Sequence, residues 1–256
     1  MALTVVKIGG NVIDHPSMLS QFVKDFSQLP SPKILVHGGG KIATELCKKL
    51  GIETQMIEGR RVTDRETLDV VTMVYGGLIN KNVVAQLQSV QCNAIGLTGA
   101  DAGILPAMRR APRPIDYGYV GDIKIDEVRS ETVKLFLEAG IVPVFCALTH
   151  DEQGSVLNSN ADSVASAVAV AMSKLYEVEL VYCLELPGVM QDIDNPESMI
   201  EEIDQASYVR LKDEGIVNKG MIPKIDNAFS AIRQGVSRVI IKHAKNLTNN
   251  TGTTIK

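Results

Sequence analysis

Residues 3–11 read Leu3-Thr4-Val5-Val6-Lys7-Ile8-Gly9-Gly10-Asn11, a β-branched run that ends in two glycines. The run predicts a strand, and the glycines let another molecule approach the backbone closely where the strand ends. Lys7 would place an ammonium group at that point, which suits a phosphate chain or a carboxylate. An edge lysine followed by a simple turn remains an alternative interpretation of the same residues.

Similar short runs recur along the chain and alternate with longer segments of helical periodicity. Strands are predicted at 3–8, 33–37, 93–97, 142–147, 178–183 and 237–242. Helices are predicted at 16–28, 40–50, 64–90, 131–139, 161–175, 204–214 and 221–234. This alternation predicts an α/β fold, a three-layer sandwich in which a central, mainly parallel sheet carries helices on both faces. Two segments that break the alternation, 53–62 and 104–125, are predicted to form hairpins over one end of the sheet.

Composition limits the kind of protein this can be. The chain has 256 residues, 45% of them apolar, which is enough for one large domain or two closely packed lobes. No linker or repeat divides it, so we expect a single domain with one continuous sheet. The net charge of −4 provides no basic field for nucleic acid or anionic membranes. The N-terminus lacks the pattern of a signal peptide, and no apolar run approaches the roughly 18 residues of a membrane span. Scattered cysteines and histidines favour reduced thiols in a cytoplasmic protein and predict no protein-held metal site.

A second glycine run, His37-Gly38-Gly39-Gly40-Lys41, ends a predicted strand and begins a predicted helix. Backbone N–H groups at a helix N-terminus favour anions through hydrogen bonds and the helix dipole. The spacing of Gly38, Gly40 and Ala43 also fits a loose dinucleotide fingerprint, but it follows the second strand and lacks the expected acidic residue. A Walker loop is excluded, because Met221 stands where the lysine after Gly215 and Gly220 would be needed.

The stretch Leu157-Asn158-Ser159-Asn160-Ala161-Asp162 precedes a helical run rich in alanine and valine. One such polar residue would serve as an N-cap, and that interpretation stays open. Three at alternating positions could instead bind a carboxylate and an acyl amide, with the aspartate orienting lysines. Lys224, in the first turn of a later helix, has the wrong sign for the helix dipole, which favours an external anion as its partner.

Two arginine groups complete the candidate residues. Arg61, in Arg60-Arg61-Val62-Thr63-Asp64, could grip a substrate carboxylate, although one of the two arginines could merely be solvated. Arg109, Arg110 and Arg113 predict a solvated basic hairpin.

Together these residues resemble the amino acid kinase family, and within it the members that phosphorylate N-acetyl-L-glutamate. The resemblance extends from Lys7 to Ile255 and rests on six motifs in order: KIGGN (7–11), VHGGG (36–40), GRRVT (59–63), GYVGDI (118–123), LNSNAD (157–162) and GMIPKI (220–225). Each motif is modest alone, and their order makes the match specific.

The resemblance implies a role for each motif. Lys7 and Lys224 would neutralise the transferring phosphoryl group, and Asp162 would hold both lysines in place. Substrate contacts are expected from Gly39, Gly40, Arg61, Asn158 and Asn160. Nucleotide contacts are expected from Gly9, Gly10, Glu185, Gly188, Gly220 and Met221.

The resemblance also implies the reaction and its setting. The expected activity is ATP-dependent phosphorylation of the side-chain carboxylate of an N-acylglutamate, the second step of arginine biosynthesis, with Mg²⁺ brought by the nucleotide. The acyl-amino-acid-binding half would span about 1–175 and the nucleotide-binding half about 176–256. An arginine-insensitive homodimer in the cytoplasm is expected.

Two departures from the family pattern leave alternatives open. The nucleotide half has Leu184-Glu185-Leu186-Pro187-Gly188 where related kinases have Ser/Thr-Asp-Val, and Gly99-Ala100-Asp101 replaces a Gly-Lys-Asp stretch. Acetyl is the acyl group that the resemblance implies, but the arginines at 109–113 and the altered 98–103 loop leave room for a larger or acidic group such as succinyl. Carbamate kinase, aspartokinase, glutamate 5-kinase and UMP kinase activities remain alternatives within the fold, and a ligand-binding regulator without turnover is an alternative of another class.

Overall fold

An eight-stranded sheet organises the part of the chain that the computed structural model describes, residues 1–57, 59–195, 197–217 and 221–256. The strands are Ala2–Ile8 (β1), Lys33–His37 (β2), Met56–Ile57 (β3), Arg60–Arg61 (β4), Ala94–Leu97 (β5), Ala107–Arg109 (β6), Gly121–Ile123 (β7), Val142–Cys146 (β8), Leu148–His150 (β9), Val156–Asn158 (β10), Glu177–Leu184 (β11), Val189–Met190 (β12), Met199–Ile200 (β13), Glu202–Ile203 (β14), Arg238–His243 (β15) and Thr253–Ile255 (β16). The large sheet has the order β14-β16-β15-β11-β1-β2-β8-β5. Its neighbouring strands are parallel except for β15 and β16.

Helices cover both faces of this sheet. They are Gly10–Asp14 (α1), Pro16–Gln28 (α2), Gly40–Lys49 (α3), Arg65–Val71 (α4), Asn80–Ser89 (α5), Ser130–Glu138 (α6), Ala161–Met172 (α7), Gln205–Asp213 (α8) and Ile222–Arg233 (α9). A π-helical segment, Thr72–Ile79, joins α4 to α5. Short 3₁₀ turns lie at Asp101–Gly103, Ile125–Glu127 and Ala244–Asn246.

The side chains of the central strands alternate between two apolar layers, because successive residues of a strand point to opposite faces. Val5 and Val36 pack on one side against α6, α7, α8 and α9. Val6 and Leu35 pack on the other side against α1 to α5. The three-layer α/β sandwich with a mainly parallel sheet is confirmed.

Most predicted elements are present with small shifts at their ends. The predicted helix over 64–90 is wrong in detail, since the structure divides it into α4, the π-helical segment and α5. The chain also begins a helix at Gly10, directly after the first strand, which was not among the predicted helices. The two predicted hairpins are confirmed as β3–β4 and β6–β7. None of the described helices is long and apolar enough to cross a membrane.

The topology brings the carboxyl ends of β1, β2 and β11 together at one edge. β1 lies between β2, which follows it in sequence, and β11, which comes much later. Ligands of open α/β sheets bind at such a switch point, outside the carboxyl ends of the strands. The Gly118 turn of the β6–β7 hairpin reaches this edge, and a Cβ there would lie 2.2 Å from the carbonyl oxygen of Thr63. The close approach, together with a φ of +71°, requires glycine.

Candidate active site

Three charged side chains from distant parts of the chain meet at the carboxyl edge of the sheet. Asp162, in the first turn of α7, forms an ion pair of 2.7 Å with Lys7 Nζ at the end of β1. Its other carboxylate oxygen accepts a hydrogen bond from Lys224 Nζ, in the first turn of α9. The Lys7 side chain is 10% exposed and the Asp162 side chain 13%. One carboxylate therefore holds two ammonium groups side by side.

The charge balance of this cluster favours an additional anion. Burial alone would raise the pKa of the Asp162 carboxyl, but the neighbouring Lys7 and Lys224 outweigh burial and lower that pKa to about 2. Asp162 is therefore ionised at neutral pH. The cluster of two ammonium groups and one carboxylate carries a net positive charge, so a phosphate or second carboxylate can bind beside it.

The second glycine run forms the wall of a cavity beside this cluster. Gly38, Gly39 and Gly40 line a cavity of about 210 Å³ together with Lys7. Gly40 begins α3, and the first N–H groups of a helix have no partner within the helix. A Cβ on Gly39 would lie 2.2 Å from Ile79 Cδ1, so the loop can pack on the π-helical segment only if this residue is glycine.

Arg61 supplies a guanidinium group inside the same cavity. It is 6% exposed, and its Nη2 donates to the carbonyl oxygen of Gly40 (2.8 Å) and to Thr44 Oγ1 (2.7 Å). Its Nη1 is buried without a hydrogen-bond partner among the described residues. A buried donor without a partner carries a free-energy cost, which a bound carboxylate would remove. The interpretation of Arg61 as a carboxylate-binding residue stays a prediction, and a buried donor that faces the cavity is the geometry it requires.

Asn158 and Asn160 both line the cavity, but they are held differently. The Asn158 Nδ2 group donates to Thr63 Oγ1 at 2.9 Å, and the Thr63 hydroxyl donates to the Arg61 carbonyl. Asn160 is the N-cap of α7, and its Oδ1 accepts from the backbone N–H groups of Asp162 and Ser163. The capping interpretation of Asn160 is therefore correct, and a substrate contact through its amide NH₂ stays a prediction.

The residues predicted to contact nucleotide are spread over a wider region. Gly9 N–H donates to the Cys183 carbonyl of the neighbouring strand, and Glu185 accepts a hydrogen bond from Asn11 Nδ2. A Cβ on Gly188 would lie 2.5 Å from Thr253 Oγ1, so packing alone requires a glycine there. Met221 is buried in the core near the start of α9. Gly220 lies outside the described residues, and the nucleotide contacts of the whole group stay predictions.

Three features of the cavity were not predicted from the sequence. Tyr75, in the π-helical segment, lines it opposite Gly40. Thr44 anchors Arg61, and Arg60 lines the cavity as well as Arg61. The apolar residues around Tyr75 are typical of a buried helix, so its sequence context contained no signal for a site.

The arginines of the second hairpin have partners of their own. Arg109 Nε donates to the Gly118 carbonyl at 2.8 Å and its guanidinium lies over the Tyr119 ring. Arg110 Nε donates to both carboxylate oxygens of Asp122. Neither arginine is among the described residues that line the cavity. The acidic acyl group suggested by these arginines therefore finds no support from them.

Within the described residues, no group of three His, Cys, Asp or Glu side chains could hold a metal ion. Both oxygens of Asp162 are already engaged by lysines. A site with two ammonium groups, a glycine loop at a helix start and a buried guanidinium is suited to anionic substrates. The fold and the site together define an enzyme of the phosphotransferase class.

The profile of the amino acid kinase family matches residues 2–243, and the chain belongs to that family. Among its relatives, the acetylglutamate kinase of Cytophaga hutchinsonii is 56% identical over 246 residues, which cover 96% of this chain and 92% of that protein. The acetylglutamate kinase of Bacteroides fragilis is 47% identical over 254 residues, covering 99% and 97%. Among solved structures, smu.665 from Streptococcus mutans UA159 is 28% identical with a TM-score of 0.80, covering 99% of this chain and 98% of that one.

Proposed function

We propose that this protein transfers the γ-phosphoryl group of ATP to the side-chain carboxylate of N-acetyl-L-glutamate or a related N-acylglutamate, the second step of arginine biosynthesis. The observation that carries the proposal is the pair of lysines on Asp162 next to a cavity that contains Arg61 Nη1, a buried donor with no partner in the described part of the chain. The similarity to two acetylglutamate kinases, 56% and 47% identical over nearly the whole chain, supports it.

The residues of the site would act by positioning and charge neutralisation. The acceptor carboxylate is already ionised at neutral pH, so its oxygen attacks phosphorus without a general base. Arg61 and Asn158 would bind the α-carboxylate and the acyl amide of the substrate. Lys7, Lys224 and the amides of the glycine loop would then stabilise the charge on the transferring group, which is the main requirement of phosphoryl transfer.

The nucleotide would lie over the half of the chain near residues 176–256, in contact with Gly9, Gly10, Glu185, Gly188, Gly220 and Met221. Mg²⁺ would be bound by the nucleotide phosphates, because the cationic surroundings of Asp162 do not suit a protein-held metal. Its contribution would be to neutralise charge on the phosphates.

The choice between an N-acetyl and an N-succinyl acceptor can be tested at Arg60. Arg60 lines the cavity beside Met56 and Gly59, so that three cationic side chains, Lys7, Arg60 and Arg61, surround it. N-acetyl-L-glutamate carries two carboxylates, and a succinyl group adds a third, for which Arg60 would be the partner. Replacing Arg60 by leucine should lower kcat/KM for N-succinyl-L-glutamate more than for the acetyl substrate. An equal effect on both acceptors would exclude this role for Arg60.

The reaction can be tested directly by measuring ADP release with ATP and Mg²⁺. The acceptors would be N-acetyl-L-glutamate, N-succinyl-L-glutamate, glutamate, aspartate, carbamate and UMP, with hydroxylamine present to trap an acyl phosphate as its hydroxamate. We expect turnover and hydroxamate only with an N-acylglutamate. Turnover confined to another acceptor would move the protein to a different branch of the family.

We also infer a cytoplasmic homodimer. The helical segment between α4 and α5 exposes Met73 (55%) and Leu78 (53%), two apolar side chains of the kind that subunit contacts bury. Next to Leu78, an open apolar groove is lined by Ile13, Leu19 and Ile42.

A further inference from the structure

His37 lies outside the mechanism above, yet it directly precedes the glycine loop. It is the last residue of β2 and is completely buried. Its Nδ1 lies 2.8 Å from the carbonyl oxygen of Gly38, and its Nε2 lies 3.0 Å from Asn80 Nδ2, at the start of α5. The imidazole thus joins the loop that lines the cavity to the helix layer behind it.

The hydrogen bonds around Asn80 determine which nitrogen of His37 carries hydrogen. The Asn80 amide group donates to the Val144 carbonyl at 2.9 Å, while its Oδ1 accepts from Lys81 Nζ at 3.2 Å. With its NH₂ group directed at His37, Asn80 requires an unprotonated Nε2 as acceptor. The single hydrogen of the neutral imidazole then lies on Nδ1, where it can be donated to Gly38.

The surroundings keep this imidazole neutral. Burial lowers the pKa of His37 to about 4, and the positive charge of Lys81 acts in the same direction. On β8, Cys146 lies beside His37 and is also buried, which raises the pKa of its thiol to about 12, so it carries no charge at neutral pH. On α3, Lys41 is engaged by Asn11 and Asp14.

We propose that His37 and Asn80 are positioning residues that orient the Gly38–Gly39 peptide so that the Gly39 N–H faces the transferring phosphoryl group. This peptide is trans, and the C=O and N–H of a trans peptide point in opposite directions. Holding the Gly38 carbonyl toward the helix layer therefore turns the Gly39 N–H toward the cavity. The role in catalysis rests on the proposed kinase function; the orientation of the peptide does not.

The Asn80→Asp variant provides a test that a purely structural role would not pass. While the imidazole of His37 and the new carboxyl group share one added proton, on either partner, Nδ1 keeps its hydrogen and the Gly38 contact survives. Once that proton is lost, the carboxylate favours the tautomer of His37 whose single hydrogen lies on Nε2, because it accepts a hydrogen bond from that position. Nδ1 then carries no hydrogen and presents a lone pair to the Gly38 carbonyl. We expect kcat of the variant to fall as pH rises, with both KM values little changed, and the wild type to lack this decline. Parallel pH profiles would overturn the proposal.

Two substitutions of His37 form a matched pair in case Asn80→Asp does not fold. In His37→Asn the side-chain NH₂ group occupies the place of Nδ1 and can still donate to Gly38. In His37→Gln the amide reaches the position of Nε2 instead. We expect His37→Asn to keep kcat within about fivefold of the wild type and His37→Gln to lose about 100-fold. Equal kcat values for the two variants would contradict the proposal.

A measurement on the wild type separates this proposal from the proposed function. The ¹⁵N resonances of the His37 ring, assigned by their loss in His37→Asn, report which nitrogen carries hydrogen. We expect hydrogen on Nδ1 alone between pH 8 and pH 5, in line with a pKa of about 4. Hydrogen on Nε2, or on both nitrogens, at pH 7 would overturn the proposal whether or not the protein is a kinase. Absence of turnover on every acceptor, with the expected resonances, would refute only the proposed function.

Discussion

Asp162 is held by Lys7 from the first strand and by Lys224 from the last helix. Either lysine can be removed while the other still neutralises the carboxylate, so the fold should tolerate each single change. Either change should weaken stabilisation of the transition state, because both ammonium groups act on the same phosphoryl group.

The first prediction concerns these two lysines. Lys7→Ala or Lys224→Ala should lower kcat by a factor of about 10² or more, with thermal stability little changed. Lys174→Ala, which removes a half-exposed lysine paired with Asp126, is the control and should leave kcat unchanged. Steady-state kinetics and thermal unfolding of the three variants would provide the comparison. Near-normal turnover in either site variant would defeat the assignment.

The second prediction separates substrate binding by Arg61 from its internal contacts. Arg61→Ala should chiefly raise the KM for the acceptor, by roughly 10- to 100-fold, since a charged hydrogen bond contributes about 1.5–3 kcal/mol. Thr44→Val removes one partner of Nη2 and leaves the guanidinium in place, so it should have a much smaller effect. Acceptor KM values that are unchanged in Arg61→Ala would move the carboxylate site elsewhere.

The third prediction follows from the lowered pKa of Asp162. Its value of about 2 in the folded protein lies below the ordinary 3.8, so ionisation of this group stabilises the fold at every pH above about 3.8. That stabilisation is lost as pH falls from 3.8 toward 2. The difference in unfolding free energy between the wild type and Asp162→Asn should therefore be constant at neutral pH and shrink below pH 3.8. A difference that does not vary down to pH 2 would show that Asp162 is not held ionised by the two lysines.

The sequence predicted the charged residues of the site better than the residues that support them. Lys7, Asp162 and Lys224 belong to ordered motifs, and the structure places them within contact of one another. Tyr75 and Asn80 escaped prediction because each lies in a helical segment whose periodicity is that of a buried face. A polar side chain in such a segment signals a role only once its partner is known.

At the scale of elements, the π-helical segment is the feature that sequence periodicity could not predict. The predicted helix over 64–90 covers the residues that form α4, the π-helical segment and α5 in the structure. A wider helical turn over a few residues hardly alters the apolar pattern of the sequence. Its effect on the site is large. Tyr75 and Ile79 contact the Gly39 position, and Asn80 contacts His37. The segment thus supports the glycine loop from behind.

The fourth prediction tests this support. In Gly39→Ala the new methyl group would meet Ile79 Cδ1, and the loop must shift away from the cavity, so we expect kcat to fall by about 100-fold. Adding Ile79→Val removes the Cδ1 atom and should restore part of the loss, the remainder reflecting the nearby Tyr75 ring and the φ of +156°, which strains any residue other than glycine. Gly77→Ala, in the same segment but with open space around its Cα, should have no effect on kcat. If the double variant is no better than Gly39→Ala, the contact with Ile79 is not the cause.

At the scale of the whole molecule, the alternation of strands and helices was enough to predict the sheet and its mainly parallel character. The chain runs from β1 to β2 on one side and returns as β11 on the other, which leaves the end of β1 between the two halves of the sheet. Long-range pairing of this kind follows from the rules of parallel sheets. The antiparallel β15–β16 edge does not, because Thr253–Ile255 is too short for its sequence to distinguish a strand from a tail.

The fifth prediction concerns the homodimer. Leu78 is exposed beside the apolar groove of Ile13, Leu19 and Ile42, so a second copy could bury this patch. Leu78→Asp would place a charge in that contact and should convert a dimer to a monomer, which light scattering during size-exclusion chromatography would detect. Leu135→Asp, at a still more exposed leucine on α6, is the matched control and should leave the dimer intact. A wild-type monomer at micromolar concentration would exclude the dimer itself, whereas a dimer that survives Leu78→Asp but not Leu135→Asp would place the subunit contact on the opposite face of the sheet.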